Sequence, residues 1–317
     1  MYEPSYRQAI RRAFDLVYHH KSLWVFGVLS LLLGQIGWNN FVGGLVFFSE
    51  REPFLAFFLN IPWTGIWNGV NIFWSLWLVV IMLSFSIFVI FIAVISEGAL
   101  IAAAVSWYKG EKMITMKQAW HLGVRHFDRL FMLHFLKKIF LVLVLVVINY
   151  LIVYLEASNL AYSTFFLITV LMVGLLLALF IATVGIFAAG YIVEGQLPFF
   201  EAIKKAIVLF GEHVLVSLEV SLILLVIQMF IVLLFIFSVT WFLLPFVAFS
   251  LLGGLTGSKI LIMVGLFLSI GLFLAFAALI GGLLNAFSVA TWMYLFMKMH
   301  HEGVKSHILH LLGIKRA

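Results

Sequence analysis

The sequence predicts an all-α integral membrane protein. Six transmembrane helices form three parallel repeat units, each preceded by a short amphipathic interfacial helix. Three observations predict this. First, 65% of the 317 residues are hydrophobic and only 10% are charged, whereas a soluble domain carries about 25% charged residues. With a mean hydropathy of +1.20, the chain lacks the polar surface that water requires. Second, three stretches repeat one apolar spacing. Tyr6, Ala9, Ile10, Ala13, Phe14 and Val17 match Met116, Ala119, Trp120, Gly123, Val124 and Phe127. Both match Phe199, Ala202, Ile203, Ala206, Ile207 and Phe210. That spacing is one face of an α-helix. The opposite face carries Arg7, Arg11 and Arg12, then Lys117, His121 and Arg125, then Lys204 and Lys205. Each stretch runs into a long apolar segment, as a helix lying in the headgroup layer does. Third, the basic residues are one-sided, as set out below.

The spans follow in order. The first begins near Ser22 and ends between Trp38 and Phe48, where Gly34, Gly37, Asn39, Asn40, Gly43 and Gly44 weaken a helix. Without a small-residue cleavage site after a short apolar core, it reads as a retained span. The second runs from about Asn71 to Trp107 and is longer than the hydrocarbon core, so it tilts or protrudes. The third covers Phe131 to Leu155, the fourth Phe165 to Val193, the fifth Val214 to Leu244 and the sixth Lys259 to Met299. Pro245 falls at the outer end of the fifth. The apolar stretch Pro53 to Asn60 is too short to span and reads as lying on the outer face.

The chain therefore forms one membrane domain, 1–317. Repeats cover about 5–107, 115–193 and 198–299, followed by a tail at 300–317. No interval between spans reaches the roughly 50 residues of a soluble domain. Four basic residues precede the first span, seven join spans two and three (Lys137 and Lys138 among them), two join spans four and five, and four lie in the tail. The other side holds only Arg51 and Lys259. Seventeen of nineteen on one side places both termini in the cytoplasm, in a cell (cytoplasmic) membrane. Tryptophans at both boundaries fit aromatic belts.

Small residues recur on the inward spans: Gly98, Ala99, Ala102 and Ala103; Gly174, Ala178, Ala182, Gly185 and Ala189; Ala277, Ala278, Gly281 and Gly282. Such ridges let helices approach closely in lipid. The inward spans are therefore expected to form much of the core, with the outward spans facing lipid more.

Residues 9–13 (Ala-Ile-Arg-Arg-Ala), His20 to Gly27, Val193-Glu194-Gly195 and Ala202-Ile203 resemble an uncharacterised family of prokaryotic six-span membrane proteins. That family is related to the membrane domain of glycerophosphoryl diester phosphodiesterases. The resemblance implies a bacterial or archaeal cytoplasmic membrane protein. It does not extend to the phosphodiesterase activity, which belongs to a separate soluble barrel that this chain has no length for.

Candidate chemistry is sparse. With no cysteine, thiolate catalysis and Cys-ligated metal are excluded. No nucleophile motif or phosphate loop is present, so the expectation is a non-enzyme with no cofactor. His300, His301, His307 and His310 lack recognised ligand spacing, so no metal is expected. Glu219 sits inside the fifth span, where a carboxylate is costly. It either serves a cytoplasm-facing cavity or snorkels to a lysine such as Lys204 or Lys205. Glu97 and Glu194 each precede a glycine near the cytoplasmic end of an inward span. They either fix an interfacial helix by ion pairing or line that cavity. Gln228 and Asn285, with Asn149, either bond between helices or line a solute path. The basic set Arg7, Arg11, Arg12, Lys117, Arg125, Lys204 and Lys205 points to anionic inner-leaflet lipid rather than nucleic acid. The leading expectation is a non-enzymatic lipid-binding or membrane-organising protein. The alternative is a transporter of a small solute, ion or lipid.

Overall fold

The computed structural model describes residues 5–31, 69–110, 114–157 and 163–301. These form helices α1 (Ser5–His19), α2 (Ser22–Leu31), α3 (Gly69–Tyr108), α4 (Met116–Arg125), α5 (Phe127–Ala157), α6 (Ser163–Val193), α7 (Phe199–Glu212), α8 (Val214–Thr256) and α9 (Lys259–His301). Five contain stretches long and apolar enough to cross a membrane: Leu76–Tyr108, Phe127–Ile152, Phe165–Val193, Val214–Thr256 and Lys259–His301. The chain is thus an all-helical, multi-pass membrane protein. Of the expected first span, only the ten residues of α2 are described. Its far end, the stretch Pro53 to Asn60, His307 and His310 lie outside the described residues.

Helices α1, α4 and α7 each end at a histidine that turns the chain into the next helix. The backbone N–H groups of His20, His126 and His213 donate to the carbonyls of Leu16, Leu122 and Leu209 at 3.1, 3.3 and 3.2 Å. Counting back from these histidines, Ala13, Ala119 and Ala206 are equivalent, and all three are buried. The apolar spacing had aligned Gly123 with Ala13 and Ala206. The junction moves that register by one turn because α4 is shorter at its start. There, Thr115 and Gln118 close a reciprocal cap, with the Gln118 N–H on Thr115 Oγ1 at 3.3 Å and the Thr115 N–H on Gln118 Oε1 at 2.9 Å.

Each short helix packs on a different long helix: α1 on α9, α4 on α3 and α7 on α6. The long helices α3, α6 and α9 also touch one another, and α2 lies against α3 and α9. The common core is therefore at the end of the bundle that carries α1, α4 and α7, called here the basic end. Residues 93–106 of α3 and 187–192 of α6 are buried without a break, as is nearly all of 285–299 of α9.

The far halves differ. From Phe73 to Phe91, every large side chain of α3 except Val89 is exposed. There α5 and α6 keep a small core of their own, Leu141, Leu145 and Ile148 against Ala178. In the same way α8 and α9 pair through Phe235, Phe242, Phe273 and Phe276. Burial is thus divided by depth as well as by span direction: the inward spans supply much of the core, but only in the halves near the basic end. Where small residues line α3, α6 and α9, the backbones close. Beyond them Leu, Ile and Phe gain as much from lipid as from a neighbouring helix.

The fifth span does not stop at Pro245. Helix α8 runs through it to Thr256. A proline displaces backbone bonding around it, and buried Ser269 on α9 compensates by accepting the Phe246 N–H at 2.9 Å. Gly257, in the left-handed region at φ 69°, then ends α8, and α9 begins two residues later. At about 65 Å each, α8 and α9 are roughly twice as long as the hydrocarbon core is thick.

Candidate functional site

The most enclosed charges lie between α3, α5 and α6. Glu97 is 1% exposed, and its carboxylate pairs with Nε2 of His134. One turn along α5, Lys137 is 8% exposed. Glu97 is the opposite charge acting on it, and Lys138 is the like charge. Its stem runs beside Gly185 of α6, where an added Cβ would stand 3.0 Å from the Lys137 Cδ. The glycine therefore makes room for the lysine. Isolated charges at this depth are costly, and the three groups offset one another.

The sequence pointed to Glu97 as an ion-pairing or cavity-lining acid. It lies about three turns before the end of α3, and one of its partners is His134 of α5. His134 is a residue that the sequence motifs did not single out. Lys137 was grouped with the exposed basic rim, yet it belongs inside α5. A signal was available: the third span, read from Phe131, already contains His134 and Lys137, which stand one turn apart on one face of the helix.

The other candidate acids and amides are dispersed. Glu194 pairs with Lys109 at 3.4 Å, joining the ends of α6 and α3. Asn285 is buried on α9 and donates to Ser30 Oγ at 2.8 Å and to the Gly27 carbonyl at 3.3 Å, so it ties α9 to α2. Glu219, Gln228 and Asn149 are half-buried on α8, α8 and α5. Among the described residues, the contacts of Glu97, Glu194 and Asn285 thus lie in three different places.

The basic set lies on exposed faces: Arg7, Arg11 and Arg12 on α1, Lys117 and Arg125 on α4, and Lys204 and Lys205 on α7. Several also have structural partners. Arg12 stands 5.9 Å over the Tyr294 ring, and Lys205 pairs with Glu201 at 3.5 Å. Arg125 reaches Gln196 Oε1 at 3.5 Å, while Arg129 donates to the Gln196 and Leu197 carbonyls at 2.8 and 3.2 Å. These two arginines hold the link from α6 to α7, where Gln196 has a φ of 50°. Arg129 is a positioning residue that the spacing alone did not single out. In the tail, His300 stacks on Phe296 and lies 3.4 Å from the Tyr191 hydroxyl.

At the α4–α5 junction, burial pushes the His126 imidazole below the usual histidine range, and Arg125 and Arg129 add to the shift. The unfolded chain then takes up this proton first on acidification. The stability present above about pH 6.5 should fall as pH drops toward the depressed folded value. Thermal unfolding in detergent from pH 8 to pH 5 should show a flatter decline for His126→Gln than for wild type.

Compared with known proteins, the chain matches no family model, no curated protein and no solved structure.

Proposed function

We propose that the protein is a non-enzymatic membrane protein that binds and organises anionic lipid at the inner leaflet. In this reading six spans form three parallel units, with both termini in the cytoplasm. The observation that carries it is the threefold placement of α1, α4 and α7. Each has a buried alanine and packs on a different long helix, and each turns basic side chains outward. Three basic ramps around one end of a bundle suit a headgroup layer, where each Lys or Arg contributes about 1 kcal/mol.

The test uses residues with no structural partner among those described: Arg7, Arg11, Lys117 and Lys204. The protein is placed in nanodiscs of mixed phosphatidylcholine and phosphatidylglycerol, and retained lipid is counted by native mass spectrometry. Changing all four to Gln should lower the preference for phosphatidylglycerol on the order of a hundredfold at low salt, since four contributions of about 1 kcal/mol combine with some screening. Unchanged preference would reject the reading.

A further inference from the structure

A structural ion pair needs two groups, and the buried cluster between α3, α5 and α6 has three. With Glu97 as carboxylate and Lys137 as ammonium the set is neutral, and a further proton, which leaves it with one positive charge, has the His134 imidazole or the Glu97 carboxylate as a place to reside. Histidine is the side chain whose charge ordinarily changes between pH 5 and 8, and here it lies against a carboxylate within a membrane span. Ionisable groups at such depth characteristically mark proton relays or ion paths. From this geometry we infer that Glu97, His134 and Lys137 form a proton-binding site, separate from the lipid-facing basic surface. The ligand is a proton delivered by hydronium, which leaves as water. The N–H on Nε2 of His134 donates to Glu97, Nδ1 takes the incoming proton, and the imidazolium faces the carboxylate. Glu97 from α3 faces His134, Glu97 and Lys138 act on Lys137, and α6 presents Gly185 beside the Lys137 stem.

The experiment is infrared difference spectroscopy of the full chain in nanodiscs, between pH 8 and pH 5. The protein has ten histidines, so the readout is wild type minus variant. An imidazole signal from this site should vanish in His134→Gln. In Glu97→Gln it should move to lower pH by about one unit or more, because the carboxylate that favours the imidazolium is gone. Lys137→Met removes a positive neighbour and leaves the Glu97–His134 pair, so its signal should move to higher pH. This variant decides the matter even if Glu97→Gln does not fold. A wild type minus His134→Gln spectrum that is flat across this range would overturn the site and leave a static ion cluster. A Lys137→Met signal at the wild-type pH would overturn it as well.

Discussion

Adding one methyl group at Gly27 or Gly282 should dismantle the contact that seats α2 in the bundle. A Cβ at Gly27 would fall on the Gly282 carbonyl oxygen. A Cβ at Gly282 would fall on Val28, meeting its backbone nitrogen at 2.7 Å and its Cα at 2.8 Å. Both obstacles include backbone, which no rotamer change removes. Overpacking a core costs about 1–3 kcal/mol when side chains can yield, and here the helices must separate. The expected loss for Gly27→Ala or Gly282→Ala is therefore about 3 kcal/mol or more. Separation also breaks the bonds from Asn285 to Ser30 and Gly27, at a further 0.6 kcal/mol or so for an inter-helix bond in lipid. Gly271, whose Cβ would meet nothing within 4 Å, is the matched control, and Gly271→Ala should be close to neutral. Unfolding in mixed micelles would report all three. Equal stability of Gly27→Ala and Gly271→Ala would show that the α2–α9 crossing is looser than drawn.

Much of this fold is visible in the chain because lipid imposes a strict grammar. Apolar length marks α3, α5, α6, α8 and α9, since unsatisfied backbone is intolerable in hydrocarbon. Their bounds differ from expectation mainly where the sequence argument leaned on a single residue. Pro245 looked like an end, but whether a proline ends a helix depends on a distant compensating group, here Ser269. The faces of α1, α4 and α7 were legible only in part: Ala13, Ala119 and Ala206 are buried, but Phe14, Val124 and Ile207, which the spacing put on the same faces, are exposed. Which long helix each one meets was not legible, because an Ala face fits any small-residue ridge. The site was harder still. Glu97 stood out as an acid in an apolar run, but a lysine beside the membrane boundary reads the same whether it snorkels or turns inward. Only the position of Gly185 on another helix decides that Lys137 goes inward.

Removing the Glu97 carboxylate should be among the most damaging single changes in the protein. In Glu97→Ala, His134 loses its partner and the Lys137 ammonium is left in a dry site with no opposite charge acting on it. Breaking a buried ion pair from one side typically costs about 3–5 kcal/mol, because the remaining charge stays desolvated. The damage should be largely reversible by a second substitution. In Glu97→Ala combined with Lys137→Met, the stranded charge is gone and an apolar side chain of similar length still fills the space beside Gly185. Replacing a buried ionic set by apolar groups is often nearly neutral, so the double variant should recover most of the lost stability. A double-mutant cycle in mixed micelles measures this directly. A strong favourable coupling between the two substitutions means that the charges depend on one another. Additive losses would mean that each side chain matters only for the volume it fills, and the cluster would then be packing rather than electrostatics.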